Sequence, residues 1–239
     1  MKQQLYECDV LDVVNETDVV RRFYIKYPDD VKLNFKAGQF AIVDMPIDGK
    51  YSHREYSIAS PPAFDNIIEL CIVLNPDGAG TRYLFDYIKP GSKLNLTLPI
   101  GKFTLPDSIE DDICFICTGT GIAPLRSMAL YIINQNIPYK SMHMIFGNRY
   151  KGDILYHKEM QELHEQHDNF HFYPVLSRET PDTWHGPTGY VHNIYEEIFA
   201  DKRPATFYIC GWTAMLKEAR QRLEAMGYDR KRIKFESYD

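Results

Sequence analysis

Several stretches of this sequence carry residue types that suit an anionic ligand with a flat ring. One is His53-Arg54-Glu55-Tyr56-Ser57-Ile58-Ala59-Ser60, an extended segment stopped by Pro61-Pro62. Side chains alternate along a strand, so Arg54 and Tyr56 share one face and Glu55 and Ser57 the other. A guanidinium forks onto phosphate oxygens, and a phenol packs on a ring. The same pair also reads as a solvated arginine and tyrosine on an exposed strand. In Gly78-Ala79-Gly80-Thr81-Arg82-Tyr83-Leu84, apolar residues begin to recur at helical spacing, continuing to Tyr87 and Ile88. Thr81 is placed to cap this helix, and Gly80 lets a ligand approach its free N–H groups. A glycine-fronted helix start of this kind favours negative charge.

The second half offers its own set. Thr118-Gly119-Thr120-Gly121-Ile122-Ala123-Pro124 follows an apolar strand pattern and opens a helix. Two glycines let the backbone pass close to a pyrophosphate, although Pro124 stands where the Rossmann fingerprint has a third glycine. Tyr208-Ile209-Cys210-Gly211 ends another strand, the place where open α/β sheets bind ligands. Cys210 reads equally as a small buried apolar residue. Phe146-Gly147-Asn148-Arg149 and Val175-Leu176-Ser177-Arg178 each end a strand in arginine. Arginine accommodates a ribose 2′-phosphate where an NAD binder offers a carboxylate, and Glu179 puts a carboxylate directly beside Arg178.

The elements that must position these residues change character midway. Strands are expected at 5–14, 19–27, 39–46, 53–60, 66–74 and 92–98, separated by Pro28-Asp29-Asp30, Asp48-Gly49-Lys50, Pro61-Pro62 and Asn75-Pro76-Asp77-Gly78. Six short strands at this spacing predict a small antiparallel barrel or sandwich. Beyond Pro106, strands at 112–118, 140–147, 169–177, 205–210 and 232–238 alternate with helices at 121–134, 153–167, 190–199 and 213–226. That alternation predicts a doubly wound, mostly parallel sheet. The acidic run 107–112 marks the boundary, giving domains 1–106 and 107–239.

Composition narrows the function classes. A hydrophobic content of 44% and a charged content of 25% over 239 residues describe a soluble globular chain of one or two domains. The start, Met1-Lys2-Gln3-Gln4, has no apolar signal core, and no apolar run approaches membrane length. Five scattered cysteines point to a reducing compartment, the cytoplasm. A formal charge of −6 argues against nucleic acid as partner. The basic C-terminal set Lys217, Arg220, Arg222, Arg230, Lys231, Arg232 and Lys234 reads as a solvated face or as a docking surface for an acidic protein. Cys114 and Cys117 would face opposite ways on a strand, so no metal site is expected from them. His164-Glu165-Gln166-His167 is one residue short of a zinc motif and reads as a solvated helix end.

Taken in order, the motifs resemble those of the ferredoxin–NADP reductase family over nearly the whole chain. The resemblance rests on Arg54-x-Tyr56-Ser57, Gly80-Thr81, Gly119-x-Gly121-x-x-Pro124, Cys210-Gly211 and the final Glu236-Ser237-Tyr238. Lys36-Ala37-Gly38-Gln39-Phe40 and the Ser177-Arg178 pair are also similar to family segments. Thr81 stands where the family usually has serine. The resemblance implies a flavin-binding barrel followed by a dinucleotide domain, with FAD and NADP(H) as cofactors. Arg54 and Gly80–Thr81 would then bracket the flavin pyrophosphate, Tyr56 would pack on the isoalloxazine, and Ser57 would hydrogen-bond near its reactive nitrogen. Thr118, Gly119, Thr120, Gly121 and Pro124 would form the nicotinamide-dinucleotide turn. Arg149, Ser177 and Arg178 would take the 2′-phosphate end, and Cys210 and Gly211 would lie beside the nicotinamide. Glu236 and Tyr238 would face the flavin with Ser57 and Cys210 nearby, or Tyr238 would simply pack a sheet edge. The implied activity passes electrons between NADPH and a separate one-electron carrier, ferredoxin or flavodoxin, from a monomer. A flavin reductase, an oxygenase reductase component and a non-turnover flavin-binding redox-sensing or electron-transfer subunit are the alternatives.

Overall fold

A computed structural model describes residues 4–47, 49–63 and 65–238. The expectations that fall on 1–3, on Asp48 of the hairpin turn and on Asp239 lie outside the described residues. The chain divides into two compact units, Met1–Leu105 with Arg126–Gln135, and Pro106–Leu125 with Asn136–Asp239.

The first unit is a six-stranded antiparallel sheet, β1 (Leu5–Asn15), β2 (Val20–Lys26), β3 (Phe40–Ile47), β4 (Lys50–Ser57), β5 (Ile67–Val73) and β6 (Lys93–Thr97), in the order β4-β3-β6-β1-β2-β5. Alternation drives it. Phe23 and Ile25 of β2, with Cys8 and Val10 of β1, turn inward while their neighbours stay at the surface. Beyond β4, an antiparallel bridge from Ile58 to Leu70 joins the two edge strands and curls the sheet into a half-barrel. Its core is filled by Ala41, Val43, Met45, Ile68, Leu94 and Leu96, and the buried Tyr27 hydroxyl donates to Thr97 O at 2.6 Å. One helix, α1 (Ala79–Tyr87), lies between β5 and β6 and seats Leu84 in that core.

The second unit holds a five-stranded, wholly parallel sheet: β7 (Asp112–Thr118), β8 (Met142–Asn148), β9 (Phe170–Leu176), β10 (Ala205–Trp212) and β11 (Ile233–Tyr238), ordered β11-β10-β7-β8-β9. Ile113 through Cys117 are all buried, as expected of a parallel strand covered on both faces. Its helices are α3 (His157–Gln166), α4 (Val191–Ile198) and α5 (Thr213–Ala225), while α2 (Ile122–Asn134) starts here and belongs to the first unit from Arg126 onward. Successive strands run outward from β7 on one side as β8 and β9, then on the other as β10 and β11. The order therefore reverses between β7 and β10, a topological switch point where such sheets bind ligands.

The fold class matches the expectation of an antiparallel β-barrel, here a half-barrel, followed by a doubly wound α/β sheet. The third helix differs: a 3-10 turn occupies Lys151–Asp153 and α3 starts only at His157. The buried Tyr156 takes a left-handed φ of 53° just before it, a break that helical spacing does not register. Among the described residues no helix is long and apolar enough to cross a membrane.

Candidate functional site

In the first unit, β4 carries Arg54 toward the start of α1. A Cβ built on Gly80 would lie 3.3 Å from Arg54 Cγ and 3.6 Å from its Nε, so the arginine stem passes over the helix entrance. The earliest intrahelical bond runs from Arg82 N–H to Gly78 O at 3.0 Å, leaving the N–H groups of Ala79, Gly80 and Thr81 at the open end. A guanidinium and a helix N-terminus thus share one location, the chemistry a diphosphate requires. Arg54 itself is exposed and donates from Nη1 to His53 O at 2.8 Å. Thr81 does not cap the helix. Gly78 is the N-cap, and Thr81 sits in the first turn with its hydroxyl accepting from Asn75 N–H at 3.0 Å and near Gly78 O at 3.2 Å. Its role is to fix the loop that leads into the helix.

Tyr56 is half-buried, and burial pushes its phenol up to about 12 against the pull of Arg54. The ring stays a neutral stacking surface at any working pH. Ser57 is buried at the end of β4, opposite Phe40. The chain beyond it is held by Arg126 of α2, whose Nη1 donates to Ala59 O at 2.8 Å and to Glu69 Oε2 at 3.1 Å. Ser127 Oγ donates to Ser60 O at 2.7 Å. Neither Arg126 nor Ser127 is singled out by the sequence, because their partners lie about 60 positions away.

In the second unit, Thr118 ends β7 and Gly119–Gly121 form a 3-10 turn into α2. Gly119 has φ +54°, which a side chain disfavours. Gly121 is required by proximity: its Cβ would stand 2.4 Å from Cys210 O and 2.8 Å from Gly211 Cα. Gly211 answers with φ +134°, and a Cβ there would meet Thr118 Oγ1 at 2.3 Å. Trp212 N–H donates to that same Thr118 oxygen at 3.2 Å. The glycine turn and the Cys210–Gly211 segment are pressed together at the switch point because Cys210 pairs with Cys117 across the two strands. Pro124 lies in the first turn of α2, where a missing N–H costs nothing.

Cys210 is fully buried. Burial raises its thiol well above the ordinary range and the Glu236 carboxylate adds to that, while hydrogen bonds with Tyr238 and the Gly211 backbone pull the other way. A neutral thiol results, suited to packing and weak hydrogen bonding rather than to nucleophilic attack. Glu236 and Tyr238 share one face of β11, next to Cys210 and Trp212 of β10 respectively. Trp212 itself was not singled out by sequence. It is 63% exposed at the carboxyl end of β10, with the Arg149 guanidinium 5.9 Å from its ring.

The two arginine-bearing loops are joined. Ser177 N–H donates to Asn148 O and Arg178 N–H to Arg149 O, both at 3.0 Å. Glu179, the carboxylate beside Arg178, is occupied: Oε1 accepts from Lys151 N–H at 2.7 Å and Oε2 from the Thr183 hydroxyl at 2.6 Å. These bonds hold its carboxyl below the ordinary range.

Two expectations about other polar residues change. His164 is not a freely solvated helix end: its Nδ1 lies 3.0 Å from Phe170 O and its ring meets His171 edge-on. His171 stacks on His143 at 4.9 Å, a row that only the β8–β9 register creates. The basic C-terminal set is partly neutralised, with Arg222 paired to Glu196 and Glu218, Arg230 to Glu224 and Arg232 to Asp111. Lys217, Lys231 and Lys234 have no carboxylate partner among the described residues, and Arg220 lies over the Phe235 ring at 4.0 Å.

A half-barrel with a cationic helix entrance and a parallel sheet with a glycine turn at its switch point define a flavin- and nicotinamide-dinucleotide-binding oxidoreductase. Comparison with known proteins agrees. Residues 7–105 match the oxidoreductase FAD-binding domain and residues 115–221 the oxidoreductase NAD-binding domain. A ferredoxin–NADP reductase B of Sorangium cellulosum is 30% identical over 241 residues, covering 98% of both chains. The protein belongs to the ferredoxin–NADP reductase family. The glycine betaine monooxygenase reductase subunit of Pseudomonas aeruginosa is also 30% identical, over 95% of this chain but only 62% of its own length. Among solved structures, the Amycolatopsis cytochrome P450 reductase GcoB superposes with a TM-score of 0.87 at 26% identity, over 98% of this chain and 69% of its own. A Neisseria gonorrhoeae ferredoxin NADP+ reductase with bound FAD and NADP shares the fold end to end, with a TM-score of 0.84 at 24% identity and 98% coverage of both.

Proposed function

We propose that the protein passes electrons between NADPH and a separate one-electron carrier, ferredoxin or flavodoxin, through bound FAD. The observation that carries this reading is that each unit brings together groups distant in sequence that suit a diphosphate, Arg54 over Gly80 in one and Gly121 against Cys210–Gly211 in the other. The family matches, ending at residue 105 and beginning at 115, support assigning 1–106 to the flavin and 107–239 to the dinucleotide. FAD, when bound, supplies the conversion between hydride and single-electron chemistry.

The chain's residues bind and orient. Arg54 and the α1 N–H groups hold the flavin diphosphate, Tyr56 offers a neutral ring face, and Ser57 a buried hydroxyl. The Thr118–Gly121 turn receives the nicotinamide diphosphate, with Pro124 setting the helix behind it. Arg149, Ser177 and Arg178 take the 2′-phosphate, and Cys210 presents a protonated thiol to the nicotinamide end. Glu236 and Tyr238 flank that thiol. Five buried free thiols support a reducing, cytoplasmic setting.

A reductase component of an oxygenase is the second reading, favoured by the similarity to the glycine betaine monooxygenase reductase subunit. Purified protein assayed with NADPH against ferredoxin, flavodoxin, free flavin and a small dye separates these. Fast ferredoxin or flavodoxin reduction supports the first reading. Dye reduction with neither carrier reduced supports the second, and no NADPH oxidation with any acceptor rejects turnover altogether.

A further inference from the structure

Glu179 poses a contradiction for a nucleotide site. It follows Ser177-Arg178 at the end of β9, where a free carboxylate would repel a 2′-phosphate and accept hydrogen bonds from a 2′-hydroxyl. The structure resolves the contradiction locally. Both carboxylate oxygens are engaged, Oε1 by Lys151 N–H at 2.7 Å and Oε2 by the Thr183 hydroxyl at 2.6 Å. Thr183 is held in place, since its own N–H donates to Thr180 O at 3.1 Å. The loop that carries it is anchored back onto β9 through Leu176 N–H to Pro187 O at 3.1 Å and Gly189 N–H to Leu176 O at 2.9 Å.

We propose that Thr183 sets nucleotide selectivity by holding the Glu179 carboxylate away from the nucleotide ribose. Glu179 then serves as a tie between two loops. The rungs Ser177–Asn148, Arg178–Arg149 and Glu179–Lys151 run in sequence, so the carboxylate is the last of three links that keep Arg149 and Arg178 side by side. The same residue holds the cation pair together and withholds its own charge. When the Thr183 hydroxyl is removed, the carboxylate loses its shortest tie and keeps only the backbone bonds from Lys151 and Thr180, so it turns more readily toward the ribose, where it disfavours a 2′-phosphate and favours a 2′-hydroxyl. The loss of a hydrogen bond to a charged group shifts such a balance about tenfold or more. This inference rests on the proposed NADPH preference.

The test is the ratio of kcat/KM for NADPH over NADH, with a small-dye acceptor, in wild type, Thr183→Val, Glu179→Gln and the double variant. Sequestration predicts a wild type that prefers NADPH and a Thr183→Val ratio about tenfold lower, with improved NADH use. In the Glu179→Gln background the same Thr183→Val change is expected to leave the ratio unmoved, since no carboxylate is present to be released. A wild type that prefers NADH overturns the NADPH reading and the sequestration with it. An NADPH-preferring wild type whose ratio is the same in Thr183→Val overturns the sequestration alone. So does an equal drop with and without the Glu179 carboxylate, which would assign the effect to loop distortion.

Discussion

Gly121→Ala is the perturbation whose size follows most directly from the geometry. The added Cβ would stand 2.4 Å from Cys210 O and 2.6 Å from Cys210 C, whereas ordinary contact begins at 3.4 Å. A gap of about 1 Å (3.4 − 2.4) must therefore open between the β7 turn and the end of β10. The obstructing atoms are backbone near the end of an interior strand of a parallel sheet, so no side chain can swing aside. Overpacking of this kind costs about 1–3 kcal/mol. A displacement near 1 Å in a group that positions a reactant costs about a hundredfold in rate. The expected result is a kcat/KM for NADPH about a hundredfold below wild type with flavin content unchanged, because the flavin cradle of the first unit does not include this turn. Gly119→Ala is the control. Nothing lies within 4 Å of its Cβ, so only the left-handed φ of +54° is penalised, at about 1–2 kcal/mol. Steady-state dye reduction and flavin absorbance measure both. A Gly121→Ala protein with wild-type kcat/KM and an unchanged melting curve would refute the close approach.

Other outcomes follow from single contacts. Arg54→Ala is expected to weaken flavin retention about ten- to a hundredfold, by loss of a charge-assisted phosphate contact, and the heat-released chromophore from wild type is expected to chromatograph as FAD, not FMN. Burial and the neighbouring His171 lower the His143 pKa to about 4. The unfolded chain binds a proton below about pH 6.5 that the folded chain refuses, so stability is full above that pH and falls by about 3 kcal/mol as pH drops toward 4. Denaturant titrations of wild type and His143→Gln at pH 7 and pH 4.5 check this, and parallel losses in the two proteins would rule it out. Carrier reduction is expected to slow with added salt more than dye reduction does, through Lys217, Arg220, Lys231 and Lys234. Equal salt dependence for both acceptors would remove that surface from docking.

What the sequence revealed is what repeats locally. Cys8 and Val10 in β1, Phe23 and Ile25 in β2, and the unbroken apolar run Ile113–Cys117 in β7 announce their strands and their sheet types through spacing alone. The meeting of Arg54 with the Gly80 helix entrance was implied by the family resemblance rather than by spacing. The contacts that decide the second unit's site were not. Gly121 must be glycine because Cys210 lies against it, and that depends on β10 docking beside β7 across some 90 residues. Glu179 looked like an obstacle beside Arg178 until the loop pairing brought Lys151 and Thr183 to it. His143 and His171 stack only because β8 and β9 run parallel in one particular register. Thr81 misled for a different reason: the helix starts two residues earlier, and its hydroxyl is satisfied by the preceding turn.

The central claim, a flavoprotein that takes a hydride from NADPH, is tested most directly by mixing the purified yellow protein anaerobically with NADPH or NADH and following the flavin absorbance. Rapid bleaching by NADPH, and bleaching by NADH about tenfold slower or more at equal concentration, is the predicted result. Persistence of the oxidised flavin band with both nucleotides would contradict it.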